Sequence, residues 1–353
     1  MGKILITSGY MGSGSSAVTD LLSEINGCEN GNSAFEYVFL HCPDGLFDLE
    51  DKLLLGNNAL RSDEAIHRFI DCMRTLYQKK HYWVGDYKKH LTVSFMKYVY
   101  SFIEEIGTYT ISEDWAHWYY NENPNFKMLL KKQIKKVIDK IFFIRCNIPY
   151  PRNNNEVYLA FPTEELFYSA AHRFIYSIFS DLGIDDNNLI FDQLVLPHNL
   201  YRLDKYFDAE TVVFLIERDP RDVFIANKYF WLKKNQQVIF PMEIESFCKL
   251  YRKMRENAKE FTSGKVVRIR FEDLIYRYEA TLDNIYQALG IMKDDHVRKG
   301  ERFDPRISIN NTQLFTINEE FAGYGDYIKE HLGEYIYEFP KEAPYPINHV
   351  DIF

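Results

Sequence analysis

Short runs of apolar residues recur along the chain, and they predict the strands of a buried sheet. The runs occupy residues 3–8 (KILITS), 141–145 (IFFIR), 189–191 (LIF), 212–217 (VVFLIE) and 266–271 (VVRIRF). Most of them lack a regular alternation of apolar and polar positions. Such runs are typical of a parallel sheet that is covered on both faces.

Segments with helical periodicity lie between these runs. Apolar residues recur at helical spacing in residues 15–24, 62–79, 163–182, 223–231, 242–261 and 279–289. Strands that alternate with helices indicate an α/β protein, and we predict a three-layer αβα fold around a central, mostly parallel sheet.

Residues 44–140 follow a different pattern, with helices and loops but no convincing strand for the central sheet. We interpret them as a helical insertion between the first and second sheet strands, within a single domain that spans residues 1–353. After residue 289 the periodicity fades, and we expect a loop-rich C-terminal segment.

Composition and charge narrow the class of protein. Hydrophobic residues make up 46% of the 353 residues, which is enough for a sizeable core. The formal net charge of −9 argues against a nucleic-acid partner, since proteins that bind nucleic acid are usually basic. A small anionic ligand stays open, because a pocket can be positive on an acidic protein.

Cysteine usage and the N-terminal residues bear on the compartment. The five cysteines include no C-x-x-C pair, so they predict neither a disulfide framework nor a bound metal. The first nine residues are typical of a strand and turn rather than a signal peptide, and no run of about 18 apolar residues exists. We therefore expect a cytoplasmic protein without a transmembrane segment.

A glycine–serine turn follows the first predicted strand and leads directly into a helix. Its residues are Gly12, Ser13, Gly14, Ser15 and Ser16. Glycines let backbone N–H groups face a ligand and the helix N-terminus adds positive potential, so the turn predicts a cradle for phosphate or sulfate. The spacing is that of a P-loop with Ser15 in place of the lysine that an ATP hydrolase needs, which argues against ATP hydrolysis.

A second motif, RDPRD at residues 218–222, follows the predicted strand 212–217. Ligands of open α/β sheets bind at the carboxyl ends of the strands, so we expect Arg218 to point to the same edge as the turn. A guanidinium suits a phosphate because its planar donors contact two oxygens. The alternative is an Arg–Asp ion pair that ties the strand end to the next helix.

Together the two motifs resemble the PAPS-dependent sulfotransferases, a family with a P-loop NTPase-like fold whose members move a sulfonate group from PAPS (3′-phosphoadenylyl sulfate) to a hydroxyl group. The segments RFEDL at 270–274 and ALG at 288–290 resemble further motifs of that family, in the same order. The resemblance implies that the turn binds the 5′-phosphosulfate of PAPS and that Arg218 binds its 3′-phosphate. It also implies a small-molecule or glycan acceptor, and the insertion would then cover the acceptor side.

Two positions depart from the family pattern. The family carries Lys or Arg where this chain has Gly12, and another cation could come from Lys127, Arg145 or Arg152. The serine that binds the 3′-phosphate in the family is replaced by Ala226, and the amide of the adjacent Asn227 could donate a hydrogen bond instead.

A basic tripeptide follows the last predicted helix. Arg298 and Lys299, with the glycine after them, resemble the Arg-Lys-Gly that grips the 3′-phosphate in one branch of the family. A solvated surface loop is an equal alternative, because basic tripeptides are common in loops. Residues 303–310 could also line the cofactor site.

Sulfonate transfer needs a base that takes the proton from the acceptor hydroxyl. Glu36 lies in an apolar stretch after the first helix, where burial would raise its pKa. We predict Glu36 as the base and His41 as the runner-up. Asp192 and His198, which follow the predicted strand 189–191, form a second option.

Two other functions stay open. One is a P-loop kinase or another nucleotide-binding protein, against which Ser15 counts. The other is a catalytically inactive PAPS-binding homologue, which Gly12 and Ala226 keep open. For the acceptor we predict a carbohydrate, because the large insertion could build an aromatic cleft.

Overall fold

The computed structural model describes residues 2–30, 36–79, 84–112, 156–233, 240–259, 261 and 263–349, together with residues 134 and 137. Its central strands are β1 (Ile4–Gly9), β2 (Cys28–Glu29), β5 (Asn188–Asp192), β6 (Thr211–Glu217) and β7 (Val266–Arg270). They form one five-stranded sheet in the order β2-β5-β1-β6-β7, and all pairs are parallel. β3 (Tyr109–Ser112) and β4 (Glu156–Leu159) form a separate antiparallel pair.

β1 lies in the middle of the sheet. It pairs with β5 on one side, where Thr7 is opposite Asp192, and with β6 on the other, where Gly9 is opposite Ile216. Parallel pairing brings the carboxyl ends of these three strands to one edge of the sheet. The glycine–serine turn, Asp192 and Arg218 all follow at that edge, as ligand-binding residues of open α/β sheets do.

Alternate residues of the strands are buried on opposite faces of the sheet. Ile4 and Ile6 belong to one apolar cluster, whereas Leu5 belongs to another, and each is at most 2% exposed. Burial on both faces requires helices on both faces. The predicted three-layer α/β fold is therefore confirmed, and it is of the P-loop-like type.

The helices form layers on the two faces and a third cluster. One face is covered by α1 (Ser15–Leu22), α9 (Asp273–Tyr276) and α10 (Tyr278–Leu289). The other is covered by α2 (Leu46–Leu54), α3 (Ala59–Gln78), α4 (Phe95–Glu105), α5 (Glu164–Asp181) and α6 (Leu203–Tyr206). The third cluster is made by α7 (Pro220–Lys233), α8 (Ile244–Asn257) and α12 (Glu319–His331), and the short α11 (Pro305–Ser308) precedes α12. No helix in the described ranges has the length and apolar character to cross a membrane.

The predicted strands that fall on described residues are confirmed to within one residue at each end, and the predicted helices to within four. The predicted strand 141–145 lies outside the described residues. Sequence patterns missed the two-residue strand β2, the β3–β4 pair and helix α12. Described residues of the 44–140 segment form α2, α3, α4 and β3, and none of these residues joins the central sheet.

Candidate functional site

A cavity of about 810 Å³ opens at the carboxyl edge of the sheet, and residues from distant parts of the chain line it. Its wall includes Tyr10, Gly12, Ser13, Gly14, Ser15, Ser16, Glu36, Asp192, Gln193, Arg218, Ala226, Asn227, Phe240, Ile307, Asn310, Asn311 and Asn348. The two motifs that the sequence singled out therefore meet in one cavity.

Glycines at two positions of the turn give its backbone a shape that other residues would strain. Gly12 and Gly14 both adopt the left-handed conformation, with φ of 67° and 85°. A Cβ at Gly14 would also lie 2.9 Å from Cδ2 of Phe271, which is too close. Ser13 N donates to Tyr10 O at 2.9 Å and closes the turn.

The N-terminus of α1 faces this cavity without a side-chain cap. Gly14 is its N-cap residue, and no acidic residue lies in the first turn of the helix. Free backbone N–H groups and the helix dipole then favour an anion at Ser15 and Ser16. Local geometry thus supports the predicted cradle for phosphate or sulfate.

Arg218 is buried at the end of β6, with 8% of its surface exposed. Its Nη1 donates to Gly12 O at 3.2 Å and its Nη2 to Asn311 O at 2.6 Å, so it ties the turn to the C-terminal segment. The guanidinium stacks on the ring of Phe271 at 4.8 Å from the centroid. Among the described residues of the cavity wall, Arg218 is the cation.

The acidic residues of the RDPRD motif hold the frame of the site. The alternative predicted for Arg218 was an ion pair with an aspartate, but it is Arg221 that pairs with Asp219, at 2.6 Å. Asp222 accepts from the backbone N–H groups of Gln313 and Leu314, at 2.9 and 2.8 Å. Burial, and then the charge of Asp219, raise the pKa of Asp222. Arg221, Asp219 and Asp222 therefore stabilise the local fold through contacts within the protein.

Gly12 and Asn227 are packed against one another. A Cβ at Gly12 would lie 2.6 Å from Nδ2 and 2.8 Å from Oδ1 of Asn227. The Asn227 amide thus occupies the space next to the backbone at which the family carries a basic side chain. Lys127, Arg145 and Arg152, the other predicted sources of a cation, lie outside the described residues.

Several donors in the cavity wall have no hydrogen-bond partner among the described residues. They are Ser13 Oγ, Arg218 Nε and Asn227 Nδ2, and each is buried. Buried donors without a partner are costly, so native sites usually satisfy them with a ligand or water. Phosphate or sulfonate oxygens fit this donor set, because they accept several hydrogen bonds and carry the complementary charge.

Glu36 and Asp192 are carboxylates on the cavity wall. Burial, and then the charge of Asp192, raise the pKa of Glu36 to about 7. Burial also raises the pKa of Asp192 to about 6, against a hydrogen bond from Thr7 Oγ1 at 3.0 Å. Glu36 has no hydrogen bond or ion pair with the described residues. Its carboxylate is thus available to a ligand, with a pKa suited to proton transfer.

The histidines that were predicted as alternatives do not line the cavity. His41 is hydrogen bonded through Nε2 to the backbone oxygen of Gln193, at 2.9 Å. Burial lowers the pKa of His41 to about 4 and also lowers the pKa of His198. The geometry therefore favours Glu36 over His41 as the candidate base.

The structure does not bring Arg298 and Lys299 to the cavity wall. The Arg298 side chain donates to Ser23 O, and Lys299 forms an ion pair with Glu279 at 2.8 Å. Glu24 anchors the same loop, since its carboxylate accepts from the backbone N–H of Gly300 at 3.1 Å. These basic groups are therefore engaged with the protein itself.

Sequence reasoning missed part of the wall. Ile307 and Asn310 fall in the 303–310 segment that was expected to line the site, but Phe240, Asn311 and Asn348 were not predicted. No local motif marks these residues. The position of Asn311 and Asn348 depends on how the C-terminal segment folds back to Arg218 and Asn310. The described residues contain no group of His, Cys, Asp or Glu that could hold a metal ion.

The family model described as "Sulfotransferase family" matches residues 122–295. Arg218, Asn227 and the RFEDL segment fall within that range, and the bond from Arg218 to Gly12 O joins the N-terminal turn to it. A comparison with curated proteins found no match. The match covers just under half of the chain and supports its assignment to the sulfotransferase family.

That assignment implies a transferase of sulfonate groups with a small-molecule acceptor. The family generally uses PAPS as the sulfonate donor.

Proposed function

We propose that the chain transfers the sulfonate group of PAPS to a hydroxyl of a carbohydrate acceptor. The observation that carries the proposal is the meeting of the turn at Gly12–Ser16 with Arg218 and Asn227 in one cavity, where three buried donors have no partner among the described residues. A nucleotide with phosphates at both its 3′ and 5′ positions would bridge these groups.

In this proposal the α1 N-terminus holds the 5′-phosphosulfate, and Arg218 with Asn227 holds the 3′-phosphate. Glu36 takes the proton from the acceptor hydroxyl. At the same time the hydroxyl oxygen bonds to sulfur, and the bond from sulfur to the phosphate oxygen breaks. The leaving group is adenosine 3′,5′-bisphosphate. Backbone N–H groups of the turn stabilise the charge that develops during transfer, in place of the basic side chain absent at Gly12. Arg298 and Lys299 are left out of the site, because both are bound elsewhere.

The proposed architecture is a single domain over residues 1–353, with the 44–140 segment covering the acceptor side. The described helices of that segment pack on the same sheet face as Tyr37 and Phe39, the near neighbours of Glu36. We also propose a cytoplasmic location. Free thiols at Cys42 and Cys72, whose Sγ atoms are 3.5 Å apart, suit a reducing compartment.

The donor is tested by thermal unfolding with adenosine 3′,5′-bisphosphate and, separately, with ATP–Mg²⁺. At about 100 times its Kd, the bisphosphate should stabilise the protein by about 2.7 kcal/mol, and ATP–Mg²⁺ should not. Arg218→Ala should abolish the shift. Arg218 also contacts Gly12 and Asn311, so its loss could disturb the fold, and Asn227→Asp is therefore the second variant. It keeps the side-chain size but places a negative charge at the cradle, so it should reduce the shift as well.

Arg277→Ala is the matched control for loss of an arginine, since its side chain is 65% exposed and lies outside the cavity. It should leave the bisphosphate shift unchanged. A shift with ATP–Mg²⁺ instead of the bisphosphate would favour a kinase. Binding of the bisphosphate without labelling of any acceptor in a glycan panel would favour an inactive PAPS-binding homologue.

A further inference from the structure

A second cavity, of about 600 Å³, lies beside the first. We call it the basic cleft, and its wall includes Tyr10, Arg255, Lys259, Phe261, Arg268 and Tyr335. Tyr10 lines both cavities, since it begins the turn that follows β1. A ligand in the basic cleft would therefore lie next to the proposed donor site.

The basic cleft carries more positive than negative charge. Arg255, Arg268 and Arg270 all contact Glu217, at 2.6, 3.7 and 3.7 Å. Glu217 is the carboxylate that these three guanidiniums share within the described residues, and Lys259 adds a further positive charge. A local excess of positive charge in a protein of net charge −9 indicates an anionic ligand.

The Arg255 guanidinium in the basic cleft is held by aromatic rings, and one of its hydrogen-bond donors has no partner among the described residues. The Arg255 guanidinium lies between the rings of Tyr10 and Tyr335, at 4.2 and 4.8 Å from their centroids. Its Nη2 donates to Glu217, but its buried Nη1 has no partner among the described residues. Arg268 is 60% exposed and keeps most of its donors for a ligand. Fixed guanidiniums of this kind suit carboxylate, sulfate or phosphate oxygens.

The basic cleft and the candidate base lie on the same face of the sheet. Tyr10 and Phe261 pack against the apolar cluster that also contains Val38 and Phe39, which follow Glu36 closely in the chain. Tyr10 lines both the basic cleft and the cavity that contains Glu36, so an acceptor that is anchored in the cleft can extend past Tyr10 toward Glu36. This common face is what connects the cleft to the transfer reaction.

We propose that the basic cleft binds an anionic group of the acceptor, so that the acceptor is a carbohydrate that already carries a negative charge. The inference rests on the proposed function, because only a transferase has an acceptor to place. It adds a substrate class that the donor cavity alone does not specify.

The experiment uses the full chain saturated with adenosine 3′,5′-bisphosphate and measures acceptor binding by calorimetry. The probes are a glucuronate-containing disaccharide, the neutral glucose disaccharide of the same linkage, and inorganic sulfate. The glucuronate disaccharide should bind at least ~10-fold more tightly than either of the others. Arg268→Ala and Lys259→Ala should each reduce that preference by ~10-fold.

Lys253→Ala is the charge-matched control, because Lys253 is exposed on α8 and does not line the cleft. Lys253→Ala should change the affinity for neither the glucuronate disaccharide nor the neutral disaccharide. Binding of the bisphosphate should stay within ~2-fold in all three variants, because none of them touches the donor cavity. With PAPS present, Arg268→Ala should raise KM for the anionic acceptor while kcat is kept.

Equal binding of the anionic and neutral disaccharides would overturn the inference, and so would variants that leave the preference unchanged. Equal binding of inorganic sulfate and the glucuronate disaccharide would also overturn it, since the cleft would then hold a bare anion. The failure of the donor proposal looks different: the bisphosphate itself would not bind the unmodified chain, whatever the disaccharides do.

Discussion

Gly12 and Asn227 show how two residues that are far apart in sequence form one local feature. A side chain at position 12 would collide with the Asn227 amide and would also be strained at a φ of 67°. A side chain at position 12 would therefore displace the Asn227 amide. Sequence reasoning found Gly12 as a departure from the family pattern and Asn227 as a replacement donor beside Ala226, but it could not relate the two, because their contact depends on the tertiary fold.

The pKa of Glu36 gives a prediction for the pH dependence of transfer. Its pKa is raised to about 7, so the carboxylate is protonated below that value and is the base above it. We expect kcat/KM for the acceptor to rise with pH through about 7 and then level off. Initial rates of sulfonate transfer between pH 5.5 and 9 measure this profile.

Glu36→Gln should lower kcat by at least ~100-fold, the usual lower bound for a general base, and should remove the rise near pH 7. Asp192→Asn is the companion variant. It removes the neighbouring negative charge, so the pKa of Glu36 should fall and the rise should move to lower pH. A profile that Glu36→Gln leaves unchanged would exclude Glu36 as the base.

Sequence patterns predicted some residues of the site correctly and others wrongly, for different physical reasons. Arg218 and the glycines of the turn could be predicted, because each follows a buried strand whose end defines the ligand edge. Arg298 and Lys299 match a family tripeptide, yet their side chains bind Ser23 O and Glu279. Whether a surface cation is free or engaged depends on contacts that a linear motif does not contain.

The segment around Asn310–Leu314 is the element that completes the cavity after β6. It is fixed by the carboxylate of Asp222, which accepts two backbone N–H groups, and by Arg218, which donates to Asn311 O. The segment has little regular secondary structure of its own. Its position therefore depends on these buried polar contacts, and the lining residues Asn310 and Asn311 depend on them too.

Asp222→Ala should destabilise the fold by roughly 2–4 kcal/mol, because it leaves two buried N–H groups without an acceptor. Urea unfolding measures this change, and bisphosphate affinity should fall with it as Asn310 and Asn311 move. Asp222→Asn keeps one side-chain oxygen and should cost about half as much. Asp326→Ala, at an exposed site on α12, is the control. An unchanged urea midpoint for Asp222→Ala would show that the segment is held by other contacts.

The elements with a strong sequence signal were the apolar strands, of which β1, β5 and β6 are largely buried. β1, β5, β6 and β7 are short apolar runs, and their ends could be predicted to within one residue. Helix α12 was missed because its apolar residues are sparse, with Phe321 and Ile328 buried between polar positions. The β3–β4 pair was missed because antiparallel partners that are distant in sequence leave no local pattern.

At the scale of the whole molecule, the cavity is a junction of distant segments. The turn at Gly12 contacts Arg218, Arg218 contacts Asn311, and Asn348 N donates to Asn310 Oδ1 at 2.7 Å. These contacts link the N-terminal, central and C-terminal parts of the chain. A single ligand in the cavity should therefore protect backbone amides in all three parts of the chain.

Hydrogen exchange with and without adenosine 3′,5′-bisphosphate tests this expectation. Saturation at about 100 times Kd should slow the amides that exchange by global unfolding about 100-fold, because the ligand binds only the folded state. Beyond that, peptides containing residues 12–16, 218–227, 307–311 and 348 should gain extra protection together, since all of them line one cavity. Peptides from α3, which lies outside the wall, serve as the internal control. Extra protection limited to residues 12–16 would mean that the ligand occupies the turn alone, and that Arg218 and the C-terminal segment do not bind it.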